Sequence, residues 1–532
     1  MIFDGFVGPS YTGQSLNVDA ERTLNLYLEG AEAGNPKARV VLYGTPGIHL
    51  FATLPTQPLR GLWEGAGRLF AVAGSFLYEV FANGTYNSRG SVGSDGLPVQ
   101  IFPNGQQLLI VSAGSVWIDT GTAIINPSTS YAGVCNVDAT GKIVASVSGD
   151  TFDASFVGQL ITIAGGGYLV ASAANDSLSV TLAGTGPVGL NQAFTASIPV
   201  PASIGTFLDS YGIVTVPNSR QFKISRLNDF LKWDGLDFGV KEGYADHLVS
   251  VLADHEELWL FGDETTEVWA NTGAALFPFE RIPGAFIHMG CVAAYSPQRL
   301  AGGVAWLGAD SRGQVIAYRA QGFLPQRIST HAMETAWSLY STCADAWSFT
   351  YTERGHEFWV INFPTGDATW AFDATAGQWH ERAHLVAGTL HRQLQCCHAF
   401  VFGKHLCGDR ADGSIWQQSA DFFDENGAGM QRIRTAPHIS TEQMWQFFSQ
   451  FQLDAEVGTS LAAPSCTLDW SDDGGHTWST PVTTTPSLAT YDGRLIWRRL
   501  GKSRDRVFRV TITGTSKIAI IRAILKLNAG AS

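Results

Sequence analysis

Six side chains able to bind a metal crowd into 17 positions: His391, Cys396, Cys397, His398, His405 and Cys407. Zinc takes Cys and His, but its structural sites draw them from pairs spaced C-x₂₋₄-C. In QCCHAFVFGKHLC, strand alternation sends neighbours to opposite faces, so Cys396 and Cys397 would not share one ion. That run is expected to be β-core, with no metal. A second pattern, Ser471, Asp473, Gly475, Thr477 and Trp478, matches the Asp-box S-x-D-x-G-x-T-W. Asp473 can hydrogen-bond the turn backbone, Gly475 permits an unusual φ, and Trp478 packs beneath. Sialidases carry the box, and so do many proteins without activity. A sialidase repeats it in several blades and supplies an arginine trio for the substrate carboxylate. This chain has one box, and Phe279 to Pro283 (FERIP) fits the arginine motif only loosely.

Other chemistry-bearing patterns fail on spacing. Gly501-Lys502-Ser503 resembles the end of a phosphate-binding loop, but the required earlier glycine is Ile496 and no helix follows. Gly165-Gly166-Gly167 fails the dinucleotide pattern at Val170. There is no G-x-S-x-G elbow, and His255-Glu256-Glu257 lacks the second histidine of H-E-x-x-H. No catalytic residue and no cofactor are therefore expected. One cluster stands out by charge: Arg494, Arg498, Arg499, Lys502, Arg504, Arg506 and Arg509 lie within 16 residues. Either they form a solvated sheet face, or they are a docking patch for an acidic partner, oriented by opposite charge.

The elements that would position these groups are strands. Gly-punctuated runs of four to six apolar, aromatic and β-branched residues recur almost throughout, and long amphipathic helices are nearly absent. Hairpins read at Arg68 to Val80, Gln107 to Gly121, Gly212 to Leu227, Glu257 to Gly273, Gly303 to Gly322, Glu357 to Trp379 and Phe402 to Ser419. They start about 40–55 residues apart, the repeat of four-stranded propeller blades. An all-β fold is expected: a β-propeller of six or seven blades, with an inserted small β-domain and a C-terminal β-sandwich. Tight hairpin turns need φ > 0, which accounts for much of the 58 glycines. The expected divisions are an N-terminal arm at 1–40, propeller at 41–136, the insert at 137–197, more propeller at 198–429 and the sandwich at 430–532. The insert alternates apolar and polar residues over three or four short strands. It would serve contact with another subunit or partner, the host surface included.

Charge bounds the function. The 532 residues hold 34 Lys+Arg against 47 Asp+Glu, a formal charge of −13. Gripping DNA through phosphates needs clustered cations over a basic domain, which this balance opposes. Seven widely spaced cysteines suggest reduced thiols, not a disulfide framework. No secretion signal and no membrane anchor are expected, because no stretch approaches about 20 apolar residues.

Several segments resemble one family, the tail hub or nozzle (packaged DNA stabilization) proteins of short-tailed bacteriophages. They are Glu21 to Glu29 (ERTLNLYLE), Gly44 to Gly47, Ser225 to Gly243, Leu258 to Cys291, Trp306 to Glu334 and Gly408 to Gln417. The resemblance implies a structural virion protein and no enzyme. It implies a homo-hexamer in the tail, beneath the portal and its adaptor ring, assembled in the host cytoplasm. It further implies a tail needle or plug, and tail spikes or fibres, as partners. Genomic DNA would pass through the lumen without specific binding, retained after packaging and released on ejection. A tail-associated glycan hydrolase or receptor-binding propeller is the alternative.

Overall fold

The computed structural model describes residues 2–530 except 4, 32–37, 153–155, 158, 175–177, 311, 442–443, 458–462 and 487–492. Among the described residues only His331–Ser338 is α-helical; the rest of the regular structure is strand. Seven four-stranded meanders follow one another, spanning 59–91, 100–125, 205–240, 248–287, 298–327, 347–382 and 395–419. The seventh has three strands of its own, Gln395–Val401, Lys404–Asp409 and Ser414–Ser419. Its fourth is Gly47–Thr53, from before the first meander. The fold is a β-propeller whose last blade is completed from the other end of the chain. That strand's first position must be glycine, because any Cβ at Gly47 would lie 2.3 Å from the Asp424 carbonyl oxygen.

The glycine excess has a visible cause. The first turns of the first, fifth, sixth and seventh meanders are Ala66-Gly67, Ala301-Gly302, Arg354-Gly355 and Phe402-Gly403. Both residues of each lie at positive φ, as two-residue hairpin turns require.

The chain divides into two compact units. The first comprises Met1–Ser88, Phe261–Glu267 and Pro283–Ser532. In it the fifth and sixth meanders pack Trp337, Trp359, Trp370 and Trp379 with Leu307 and Ile361, while the seventh and first share Leu59, Leu69, Val401 and Leu406. The same unit holds the C-terminal sandwich. One of its sheets orders Leu26–Gly30, Val40–Gly44, Ile518–Ala529, Gln446–Val457 and Gly493–Arg498. The other pairs Asp505–Gly514 with Ala428–Thr435 and Ser465–Ser471. Phe451, Leu453, Trp497, Leu468, Phe508 and Val510 fill the core between the sheets, joined by Phe3 and Phe6.

The N-terminal 30 residues are woven into this unit, and Asn25 is the pivot. It sits at φ 53 between Ala20–Leu24 and Leu26–Gly30, so the two strands join different sheets. Its amide donates to the Ala383 and Gln431 carbonyls at 2.8 Å each and accepts from the Ala383 N–H at 2.9 Å. Ala20–Leu24 runs parallel to Gln378–Arg382 and antiparallel to Ala428–Thr435, hydrogen-bonding the sixth blade to the sandwich.

The second unit comprises Arg89–Leu260 with Val268–Ile282. Its second and third meanders pack Leu109, Val111, Val116, Val214 and Phe230. Between them lies a closed six-stranded barrel over Ser128–Pro199, whose first and last strands pair along most of their length. Phe152, Phe156 and Phe194 centre its core. Its outside is short of charge, and Leu160, Leu169 and Leu190 are exposed.

Candidate functional site

The metal-type cluster is spread through packing. His398 Nε2 meets His405 Nδ1 at 3.0 Å, and the Cys396 and Cys397 sulfurs are 3.7 Å apart. His391 pairs with Asp367 at 2.7 Å on the surface. Burial pushes the Cys396 and Cys407 thiols well up, so they stay protonated. Among the described residues no group of three or more His, Cys, Asp or Glu is placed to hold a metal. Gly501-Lys502-Ser503 leads into the two-residue strand Lys502–Ser503, and Phe279 to Pro283 lies in the strand Phe279–Ile287.

The Asp-box forms the turn after Ser465–Ser471. The Ser471 hydroxyl donates to Asp473 at 2.6 Å and accepts from the Gly475 N–H at 2.7 Å. Asp473 also accepts from the Thr477 N–H at 2.8 Å and hydroxyl at 2.6 Å, and the Ser471 hydroxyl first, then Thr477, hold its carboxyl well below the usual range. Gly475 has φ 100. Trp478 stacks under the Arg509 guanidinium at 3.8 Å. The turn faces the N-terminal segment: a Cβ on Gly474 would lie 2.0 Å from Asn17 Oδ1, and one on Gly475 3.4 Å from Ala20. Here the box packs against the chain's own N-terminal segment around Asn17 and Ala20.

The seven basic residues divide. Arg506 is buried, holding Asp472 through two bonds of 2.6 and 2.7 Å, with its guanidinium 4.6 Å from the Phe448 ring centre. Arg509 pairs with Asp469. Both are structural ties between sandwich strands. Lys502 and Arg504 flank one ring, their charged groups 4.6 and 4.9 Å from Trp445. Such contacts are worth about 0.5–1 kcal/mol each at exposed sites. Arg499 sits in the loop after Gly493–Arg498, exposed and at φ 64.

Arg494 and Arg498 belong to a face that the sequence cluster only partly outlines. Strand Gln446–Val457 pairs Asp454 with Arg494 and Gln450 with Arg498 on one side. On the other side it pairs Asp454 with Arg522 and Gln450 with Lys526. Leu453, Leu495, Trp497, Ala523 and Leu525 point into the core, so the alternate residues face outward. The result is an outer sheet face carrying Arg494, Arg498, Arg522 and Lys526 around Asp454. Arg522 Nε donates to Asp454 at 2.8 Å. Arg522 and Lys526 escaped the sequence reading because they lie outside the 16-residue window; the alternation in IIRAILKL was the signal for them.

Two family models match the chain: bacteriophage P22 Gp10, beta-propeller, over residues 136–421, and bacteriophage P22 Gp10, beta-sandwich, over residues 431–528. The propeller match runs through the barrel as well as the later meanders. No curated protein matches the sequence significantly. Solved structures similar to the chain include the N-terminal domain of Nup159 (TM-score 0.37, 9% identity, covering 75% of this chain and 98% of that one). Another is the WD40 domain of SCAP from fission yeast (TM-score 0.31, 9% identity, covering 75% and 96%). Scores this low leave the architecture to be judged from the sheets themselves.

Proposed function

This chain belongs to the bacteriophage P22 Gp10 family, and from that premise we propose that it forms the hexameric hub of a short phage tail. It is a phage tail structural protein, a component of the virion tail. In the proposed role six copies ring the channel below the portal and its adaptor, assembled in the host cytoplasm. The ring holds packaged DNA behind a needle or plug, adjoins spikes or fibres, and passes the genome at ejection. The observation that carries this reading is the two-part family match, propeller and sandwich, over most of the chain.

Charge supports the conduit role. Six copies at −13 each give an excess of about 78 negative charges, and acidic walls would repel phosphates so that DNA slides instead of sticking. The glycan-hydrolase reading loses its motif, because the one Asp-box braces the N-terminal segment. Particles assembled without this chain should package DNA and then lose it, read as nuclease-sensitive DNA in purified particles. Full retention in its absence would contradict the role.

A further inference from the structure

Charge is divided unequally along this chain. Residues 430–532 hold 12 Lys+Arg and 8 Asp+Glu, whereas the first 429 hold 22 and 39. Within the sandwich most acids are already engaged: Asp469 with Arg509, Asp472 with Arg506, Asp505 with His438 and Glu456 with Lys517. The outward face described above therefore keeps a surplus of cations around Asp454. Arg498 and Lys526 are exposed and make no ion pair among the described residues. With glutamines and isoleucines between its charges and the Asp454 carboxylate at its centre, this face suits a protein surface better than a phosphate backbone.

A matching acidic edge lies in the second unit. The first turns of the third and fourth meanders are Asp209-Ser210 and His255-Glu256, where four sister turns have glycine second. All four residues sit at positive φ, between 44 and 71, a region that costs non-glycine residues about 1 kcal/mol or more each. Asp209, His255 and Glu256 are exposed at these turns, with Asp209 accepting from the Asn271 amide at 3.0 Å. Half-buried Glu257 and buried Asp254, which meets His255 Nδ1 at 2.8 Å, flank the second turn, and neither turn holds Lys or Arg. The Ala253 N–H donates to Thr206 Oγ1 at 3.0 Å, which sets the two strand ends side by side and opens both turns on one edge. Burial, with the Asp254 charge adding to it, raises the Glu257 carboxyl.

We propose that the basic sandwich face of one copy docks on the acidic edge formed by Asp209 and Asp254–Glu257 of a second copy. This rests on the hub reading. A ring closes through heterologous contacts, so each chain must present two different, complementary patches. Segregated charge supplies such a pair and orients the encounter.

The test is the mass of the purified full-length chain by light scattering across concentration, at low and high salt. R498E/K526E should raise the concentration for half-assembly about tenfold or more, with an unchanged melting temperature. Adding D209K/E256K to that variant should restore assembly, and salt should weaken the wild-type ring. Wild-type assembly by R498E/K526E, or failure of the second pair to restore it, overturns the docking. A six-fold wild-type mass beside either result leaves the hub reading standing, whereas a wild-type chain that stays monomeric overturns both.

Discussion

Replacing Arg434 by alanine should cost about 3–5 kcal/mol of folding stability, the range for stripping one partner from a buried ion pair. The Arg434 side chain is wholly buried. It donates to the carbonyls of Phe6 at 2.5 Å, Pro9 at 2.7 Å and Gly5 at 2.9 Å, to the Thr23 hydroxyl at 2.9 Å, and to the Glu21 carboxylate. One guanidinium thus ties the N-terminal stretch from Gly5 to Thr23 onto the strand Ala428–Thr435. Burial already raises the Glu21 carboxyl against the pull of Arg434, so without the arginine that acid would take up a proton or pull its segment into water. Urea unfolding measures the loss, and the released segment should become the first site of proteolytic nicking. Arg434→Lys should recover part of the stability, because an ammonium cannot span the same five acceptors. Alanine at the exposed Arg499 should stay within about 0.5 kcal/mol of wild type. An Arg434→Ala protein as stable as wild type would remove the N-terminal segment from the account of the fold.

Acid should destabilise the protein through histidines that the fold keeps neutral. Burial pulls His398 down to about 3 and His380 well below its usual value, and lowers His405 as well. They gather around Tyr351 and Arg382, whose Nε donates to His380 at 3.1 Å. Below about pH 6.5 the unfolded chain binds protons that the native chain refuses, so stability falls as pH falls. His356 and His384 act in the opposite sense. Asp373 and Glu425 raise them, so their contribution is complete below the unfolded value and is lost as pH rises through the folded one. A difference measurement separates the two groups. For His398 each pH unit below 6.5 is worth up to about 1.4 kcal/mol. Discounted for partial exposure, the change by pH 5 is about 1–2 kcal/mol. Stability curves from pH 7.5 to 5 should therefore fall less steeply for His398→Gln than for wild type, by about that amount. Parallel curves would mean that His398 titrates normally in the folded protein.

The propeller was legible because its information is local. A hairpin declares itself through a glycine turn between two alternating runs, and such turns recur with a steady period. What stayed hidden depends on distant partners. Ser128–Val137 (STSYAGVCNV) carries few strand signals, and becomes a strand because Gly189–Pro199 pairs with it, extending the barrel beyond the alternating stretch read at 137–197. The run ERTLNLYLEG looks like one strand, yet Asn25 breaks it in two through contacts with residues more than 350 positions away. Charge behaved in the same way. Within the basic run Arg506 and Arg509 are internal ties, a distinction that needs Asp472 and Asp469 in space. The face that emerges instead joins Arg494 and Arg498 to Arg522 and Lys526 across a third strand.

Glycine counts therefore point to architecture, while the proposed conduit rests on net charge and the proposed contacts on register. The central claim is that copies of this chain close into a ring whose channel lets DNA slide. A cryo-EM reconstruction of the purified assembly tests it most directly. The account predicts six-fold symmetry, an axial channel wide enough for duplex DNA and a net acidic wall. A trimer, a closed axis or a channel lined by the sandwich arginines would contradict it.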